Sequence, residues 1–168
     1  MQLLTSFQTY IGFVDGACRS TRNISSVGWA IYSPTDDLVS MHGVCLGQTT
    51  NNIREYSAVI ELLSDAISFG ILSLIIRLDL ELIVLHLNNV YAIRNPMLLR
   101  LFLKVRLLER KFDYIEYQYI SKNLNTLADA LDNRFFNRNL QHQQSKSKQH
   151  SIHVKQDTQR TRVVISLR

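Results

Sequence analysis

An amphipathic segment that follows residue 50 constrains the fold of this 168-residue chain more than any other feature. Its apolar residues recur at helical spacing as far as Phe69. Thr50 and the asparagines after it supply an N-cap, and Gly70 supplies a stop. The next segment, Leu72–Leu78, has the composition of a buried strand. A strand reached through a helix predicts parallel pairing, because parallel strands need a crossover connection.

Strand-like and helical segments lie on both sides of this unit. Three strands joined by turns precede it and predict an antiparallel meander: Tyr10–Cys18, Val27–Tyr32 and Leu38–Leu46. Four elements follow it: a short helix 81–88, a long helix 96–111, a strand 113–120 and a last helix 125–135. We therefore expect an α/β fold with a mixed five-stranded sheet, three antiparallel strands and then parallel strands, flanked by helices.

The charge of the chain divides it at about residue 136. Residues 1–136 carry 12 Lys and Arg against 13 Asp and Glu, whereas residues 137–168 carry 7 against 1. The second segment is also poor in apolar residues, so we expect a basic, disordered tail. The prediction is an N-terminal extension 1–9, a domain 10–136 and a tail 137–168. Such a tail would suit a polyanion or remain a solvated segment without a partner.

Composition excludes several other classes of protein. No apolar run approaches the length of a membrane helix, so we expect no membrane partner. Cys18 and Cys45 give neither a disulfide framework nor zinc spacing. The N-terminus lacks the features of a signal peptide, which favours an intracellular protein of the nucleus or cytoplasm. The sequence contains no phosphate-binding loop and no Ser-His-Asp pattern.

We expect five aromatic residues to lie in the core rather than to stack on bases: Trp29, Phe102, Phe112, Tyr114 and Tyr117.

Four carboxylates stand at positions where α/β proteins carry function. Asp15 lies in the first strand, Asp79 ends the fourth strand, and Glu55 and Asp129 lie in helices. Each alone has an ordinary structural explanation, such as a turn, a helix cap or a solvated helix position. Together they would repel one another unless cations bound them, and such oxygen ligands suit magnesium or manganese.

The neighbours of these carboxylates form motifs of a known family. Over about Tyr10–Phe136 the chain resembles type 1 ribonuclease H domains, nearest to those of plant proteins and retroelements. The matching motifs are Phe13–Ala17, Thr50–Ala58, Leu78–Asp79, Tyr91–Pro96 and Asn125–Leu131. The second of these is the most specific. The resemblance implies the ribonuclease H fold, in agreement with the predicted element order.

The resemblance also implies an activity. The protein would be an endonuclease that cleaves the RNA strand of RNA/DNA hybrids and leaves 5′-phosphate ends. Its catalytic and metal-binding residues would hold two Mg²⁺ ions, with Mn²⁺ as a substitute: Asp15, Glu55, Asp79 and Asp129. Its substrate-binding residues would be Gly16, Ala17, Arg19, Asn51, Asn52, Tyr119 and Asn125. Recognition of 2′-hydroxyls would distinguish RNA from DNA.

The sequence departs from the family pattern in several places, and the departures at Leu80 and Tyr119 leave alternatives open. Leu80 stands where these members usually carry serine, and Tyr119 stands where they usually carry a histidine thought to help proton transfer or product release. The second departure predicts slowed rather than abolished cleavage. The alternatives are a catalytically weak or inactive module that binds hybrid or structured nucleic acid, and a folded retroelement remnant without substrate. We expect a monomer or a fragment of a larger reverse-transcriptase polyprotein.

Overall fold

A computed structural model of the chain describes residues 8–19 and 24–125. Its five strands are β1 (Tyr10–Arg19), β2 (Ile24–Tyr32), β3 (Leu38–Leu46), β4 (Ser73–Leu78) and β5 (Tyr114–Tyr119). Its helices are α1 (Asn51–Ser68), α2 (Glu81–Leu87) and α3 (Pro96–Glu109), followed by a 3-10 turn at Lys122–Leu124. The predicted last helix and tail lie outside the described residues.

One five-stranded sheet organises this part of the chain, in the order β3-β2-β1-β4-β5. Strand β2 pairs antiparallel with β1 and with β3, whereas β4 pairs parallel with β1 and with β5. The predicted mixed sheet is confirmed. Strand β2 begins three residues earlier than the sequence predicted, because Ile24–Ser26 pair with Ala17–Arg19 across the hairpin.

Helix α1 has the ends that its sequence predicted. The Thr50 side chain accepts a hydrogen bond from the backbone N–H of Ile53, which caps the first turn. At the other end Gly70 has a φ of +71°, and the N–H of Ile71 donates to the carbonyl of Ala66. This is a Schellman ending, which glycine permits at little steric cost.

The core lies between the sheet and the apolar face of α1. Helix α1 packs against β1 and β2 and also against α3, while α2 packs against β4 and β5. Fully buried side chains include Tyr56, Leu62, Leu63, Ile76 and Leu78. Of the aromatic residues expected in the core, Trp29 and Tyr117 are buried and Phe102 and Phe112 are half-buried.

The prediction that Tyr114 lies in the core is wrong. Its side chain is exposed because β5 is an edge strand and Tyr114 is its first residue. The alternating sequence pattern of β5 correctly predicted a half-exposed strand. The exposed fraction of each side chain, however, depends on the position of that strand in the sheet. Among the described helices, none combines the length and apolarity needed to cross a membrane.

Gly12 allows α1 to approach β1 closely. A Cβ atom at position 12 would lie 2.8 Å from Leu62 Cδ1 and 2.9 Å from Leu62 Cδ2. Leu62 is fully buried and has little room to move. We expect Gly12→Ala to lower the free energy of unfolding by about 1–3 kcal/mol through overpacking.

Urea denaturation would measure this effect. The matched control is Gly47→Ala, because nothing lies within 4 Å of a Cβ atom placed there. The double variant Gly12→Ala/Leu62→Val should recover part of the loss caused by the first substitution, since it removes one of the crowding methyl groups. A Gly12→Ala variant as stable as the control would contradict this account of the helix–strand contact.

Buried His86 connects α2 to α1. Its Nδ1 lies 3.2 Å from the hydroxyl of Tyr56, and the two rings stack with centroids 6.2 Å apart. Burial lowers the pKa of His86 below its ordinary value of 6.5. The unfolded chain therefore binds this proton more readily, so the stability should fall as the pH drops below about 6.5.

Urea midpoints at pH 8 and pH 5.5 test this prediction. His86→Gln should reduce the loss of stability between the two pH values. An equal loss in the wild-type and His86→Gln proteins would show that His86 does not cause it.

Candidate metal and catalytic centre

Three acidic side chains from three separate elements meet at one place. One carboxylate oxygen from each of Asp15, Glu55 and Asp79 lies within 4.8 Å of the others. Asp15 and Glu55 are only 4% and 3% exposed, whereas Asp79 is half-buried. The arrangement is therefore a pocket of negative charge that opens toward solvent at Asp79.

The strand register explains why the two aspartates meet. In the parallel pair of β1 and β4, Tyr10 lies opposite Leu74 and Phe13 lies opposite Arg77. The same register, continued two residues further, places Asp15 opposite Asp79. Helix α1 contacts β1 and begins at Asn51, so its first turns present Glu55 to this point. Three residues far apart in sequence thus converge where the paired part of β1 and β4 ends, beside the first turns of α1.

The chemistry of this cluster fits a divalent cation. Three ionised carboxylates at such distances repel one another, and burial of two of them increases the cost. A cation bound between them offsets both effects, and hard oxygen ligands favour Mg²⁺-like ions. The predicted fourth carboxylate, Asp129, lies outside the described residues.

Asn125 holds the backbone beside the cluster. It is fully buried, and its Nδ2 donates a hydrogen bond of 2.7 Å to the carbonyl oxygen of Val14, the residue before Asp15. This contact joins the end of the described chain to β1. The sequence motif predicted a substrate contact at Asn125, which stays a prediction. The link to Val14 had no signal in the sequence because it depends on tertiary structure.

Sequence reasoning also missed Arg54, which precedes Glu55. Its side chain is only 3% exposed, and its NH1 donates a hydrogen bond of 3.2 Å to Ser25 Oγ on β2. Within residues 8–19 and 24–125, its Nε has no hydrogen-bond partner. Helical spacing would have indicated that position 54 faces inward, but an arginine in a first turn is more often solvated. The contact ties the start of α1 to the sheet beside Glu55.

A third feature that the sequence did not reveal lies at the other end of α1. Asp65 accepts hydrogen bonds from Trp29 Nε1, at 3.1 Å, and from the hydroxyl of Ser40. These bonds join α1 to both β2 and β3. With Arg54 they fix the helix on the sheet at two points, and so they fix the position of Glu55.

The other predicted substrate-binding residues belong to α1 and β1, the elements that carry Glu55 and Asp15. Asn51 is exposed and Asn52 is half-buried, both in the first turn of α1. Gly16, Ala17 and Arg19 belong to β1, where their backbones lie opposite Val27, Ser26 and Ile24. Their roles stay predictions.

Two of the departures from the family pattern adjoin Asp79 in sequence or in strand register, since Leu80 follows it and Tyr119 pairs with the residue before it. Tyr119 is the last residue of β5, is 50% exposed and lies opposite Leu78. Leu80 is the N-cap residue of α2 and makes no side-chain hydrogen bond to the helix. Serine at an N-cap would make such a bond, so the substitution removes a helix cap.

Comparison with known proteins identifies the family. Residues 13–135 match the family model described as reverse transcriptase-like. The chain belongs to the reverse transcriptase-like family. Its relatives confirm the prediction that the chain is a type 1 ribonuclease H domain.

Relatives named ribonuclease H show the likeness. Ribonuclease HI of Halobacterium salinarum is 32% identical over 121 residues, which are 72% of this chain and 61% of that protein. The chain thus spans about three fifths of the length of this relative. The crystal structure of RNase H1 from that archaeon gives a TM-score of 0.72 at 30% identity, over 77% of this chain and 98% of the other.

Another relative is LC11-RNase H1, whose crystal structure is a complex with an RNA/DNA hybrid. It gives a TM-score of 0.69 at 28% identity and covers 74% of this chain and 94% of its own. The fold of this family member is therefore that of ribonuclease H1 structures. Its buried Asp and Glu cluster and its relatives are consistent with the use of a divalent metal.

Proposed function

We propose that this protein is an endonuclease that hydrolyses the RNA strand of RNA/DNA hybrids. The convergence of Asp15, Glu55 and Asp79 carries the proposal, because it gathers the acidic ligands that phosphoryl-transfer enzymes use to bind cations. Relatives named ribonuclease H, one of them bound to an RNA/DNA hybrid, support the choice of substrate.

Magnesium is the proposed cofactor, with two ions and with Mn²⁺ as a substitute. Asp15, Glu55, Asp79 and Asp129 would hold them. When bound, the ions would supply Lewis acidity at the scissile phosphate and favour ionisation of water. Burial of Asp15 and Glu55 keeps their carboxylates in a fixed arrangement, whereas the exposed side of Asp79 leaves access for a phosphate.

The residues at the start of α1 would select the substrate. The side chain of Asn51 is exposed, and both Asn51 and Asn52 precede Glu55 by about one helical turn. Their amides can donate to and accept from 2′-hydroxyls and base edges in the minor groove of an A-like duplex. The backbone of Gly16–Arg19 would contact the RNA strand.

A panel of labelled duplexes tests this function. The full chain with Mg²⁺ should cut the RNA strand of an RNA/DNA hybrid and leave its DNA strand intact. It should not cut duplex DNA or duplex RNA at a comparable rate. Cleavage of duplex DNA as fast as the hybrid RNA strand would contradict the proposed specificity.

A second candidate function is a catalytically weak module that binds the hybrid. The observation that favours it is Tyr119, which lies opposite Leu78, the residue before Asp79, where the resemblance predicts a histidine. A folded protein that binds the hybrid but does not cut it with Mg²⁺ or Mn²⁺ would support this alternative. Rapid, multiple-turnover cleavage with either metal would contradict it.

A further inference from the structure

Helix α3 presents an outward face of unusual composition. The exposed residues recur at helical spacing along the side opposite its buried residues, Leu98 and Val105. We call this the α3 face, and its residues are Leu99, Arg100, Leu103, Lys104, Leu107 and Arg110. The leucines are 42%, 52% and 63% exposed, in chain order. An outward helix face normally carries mixed polar and charged residues rather than a row of leucines.

The charges on this side of the helix all have one sign. Arg100, Lys104 and Arg110 are exposed, and the α3 face contains no acidic residue. The only carboxylate of α3, Glu109, is turned inward and accepts hydrogen bonds from Arg106 NH1 and from the hydroxyl of Tyr117. Glu109 is therefore engaged elsewhere and leaves the charge of the α3 face uncompensated.

We propose that the α3 face docks an acidic amphipathic helix of a partner protein. The three leucines lie four residues apart, which forms the i±4 ridge that interdigitates with a similar ridge on another helix. The 14 residues of α3 extend about 21 Å, which suits a partner helix of about four turns. Acidic side chains beside the partner's apolar ridge would pair with the three cations.

Charge or apolarity argues against three other occupants of the α3 face. A second copy of this chain would bring three further cations against the same three, so the two faces would repel. The segment Asn137–Arg168 carries 7 cations against 1 acid and is not complementary either. A nucleic-acid backbone would pair with the cations but would leave the three leucines in water. An acidic amphipathic helix complements both the leucines and the cations.

Synthetic helical peptides test the proposal with the full chain. The probe is a peptide of about 20 residues with leucine at every fourth position and glutamates beside them. It should bind the wild-type protein, and its affinity should fall when NaCl is raised from low to high concentration. A peptide with serine in place of leucine and one with lysine in place of glutamate should each bind at least about tenfold more weakly.

Variants of the chain complete the design. Leu103→Gln should weaken binding of the acidic peptide at least about tenfold, whereas Leu38→Gln, at another half-exposed leucine on β3, should not. Circular dichroism melting would confirm that both variants fold.

Four results would overturn the proposal. The first is failure of the acidic peptide to bind the wild-type protein, and the second is equal binding of that peptide to Leu103→Gln and to the wild type. The third is self-association of the chain that Leu103→Gln abolishes. The fourth is a loss of RNA/DNA-hybrid binding in Leu103→Gln as large as its loss of peptide binding. The third would assign the α3 face to a second copy, and the fourth would assign it to nucleic acid.

Discussion

Asp15→Asn is expected to reduce hybrid cleavage by about a thousandfold or more. Asp15 is buried, and one of its carboxylate oxygens lies within 4.8 Å of an oxygen of Glu55 and an oxygen of Asp79. Asparagine keeps the size of the side chain but removes the charge that would hold a cation. Several kcal/mol of transition-state stabilisation depend on such ions, and each 1.4 kcal/mol is about tenfold in rate.

The same variant should remain folded. Neutralising one of three neighbouring carboxylates reduces their mutual repulsion, so without divalent cations its melting temperature should be equal to or higher than that of the wild type. Added Mg²⁺ should raise the melting temperature of the wild type more than that of Asp15→Asn. The matched control is Asp113→Asn, at an exposed aspartate outside the cluster, which should retain full activity. Cleavage by Asp15→Asn within tenfold of the wild type would show that this cluster is not the catalytic centre.

Tyr119→His is expected to raise the cleavage rate about tenfold or more. The residue lies at the end of β5, opposite Leu78, which is the residue before Asp79. A phenol ordinarily titrates near pH 10 and an imidazole near pH 6.5, so only histidine can exchange a proton readily at neutral pH. Because the side chain of Tyr119 is half exposed, the substitution should cost little core packing.

The pH profile separates this role from a general change in structure. The rate of Tyr119→His should acquire a new dependence on pH near 6.5 that the wild type lacks. Tyr114→His, at the other end of the same strand and similarly exposed, should leave both the rate and the profile unchanged. If the two histidine variants behaved alike, the absence of histidine at position 119 would not explain slow cleavage.

Local sequence patterns predicted the elements that depend on nearby residues. Strand β3 has the predicted bounds, and Gly70 ends α1 as its permissive backbone suggested. The convergence of Asp15 with Asp79 followed from a resemblance, and the register of β1 and β4 now gives its physical basis.

Features that depend on tertiary contacts were not predictable in the same way. The exposure of Tyr114 depends on β5 being an edge strand, and the inward turn of Arg54 depends on the position of Ser25. The hydrogen bond from Asn125 to Val14 joins residues 111 positions apart. Likewise, the sequence predicted α3 as a helix but could not show that its leucine row faces solvent.

Incubation of the wild-type chain with an RNA/DNA hybrid labelled on the RNA strand tests the central claim most directly. The reactions would contain EDTA, Mg²⁺ or Mn²⁺, and circular dichroism would show that the protein is folded. We expect RNA fragments with 5′-phosphate ends in at least one of the two metals and none in EDTA. Intact RNA in both metals, or equal cleavage in EDTA, would contradict the assignment of a metal-dependent ribonuclease centre to Asp15, Glu55 and Asp79.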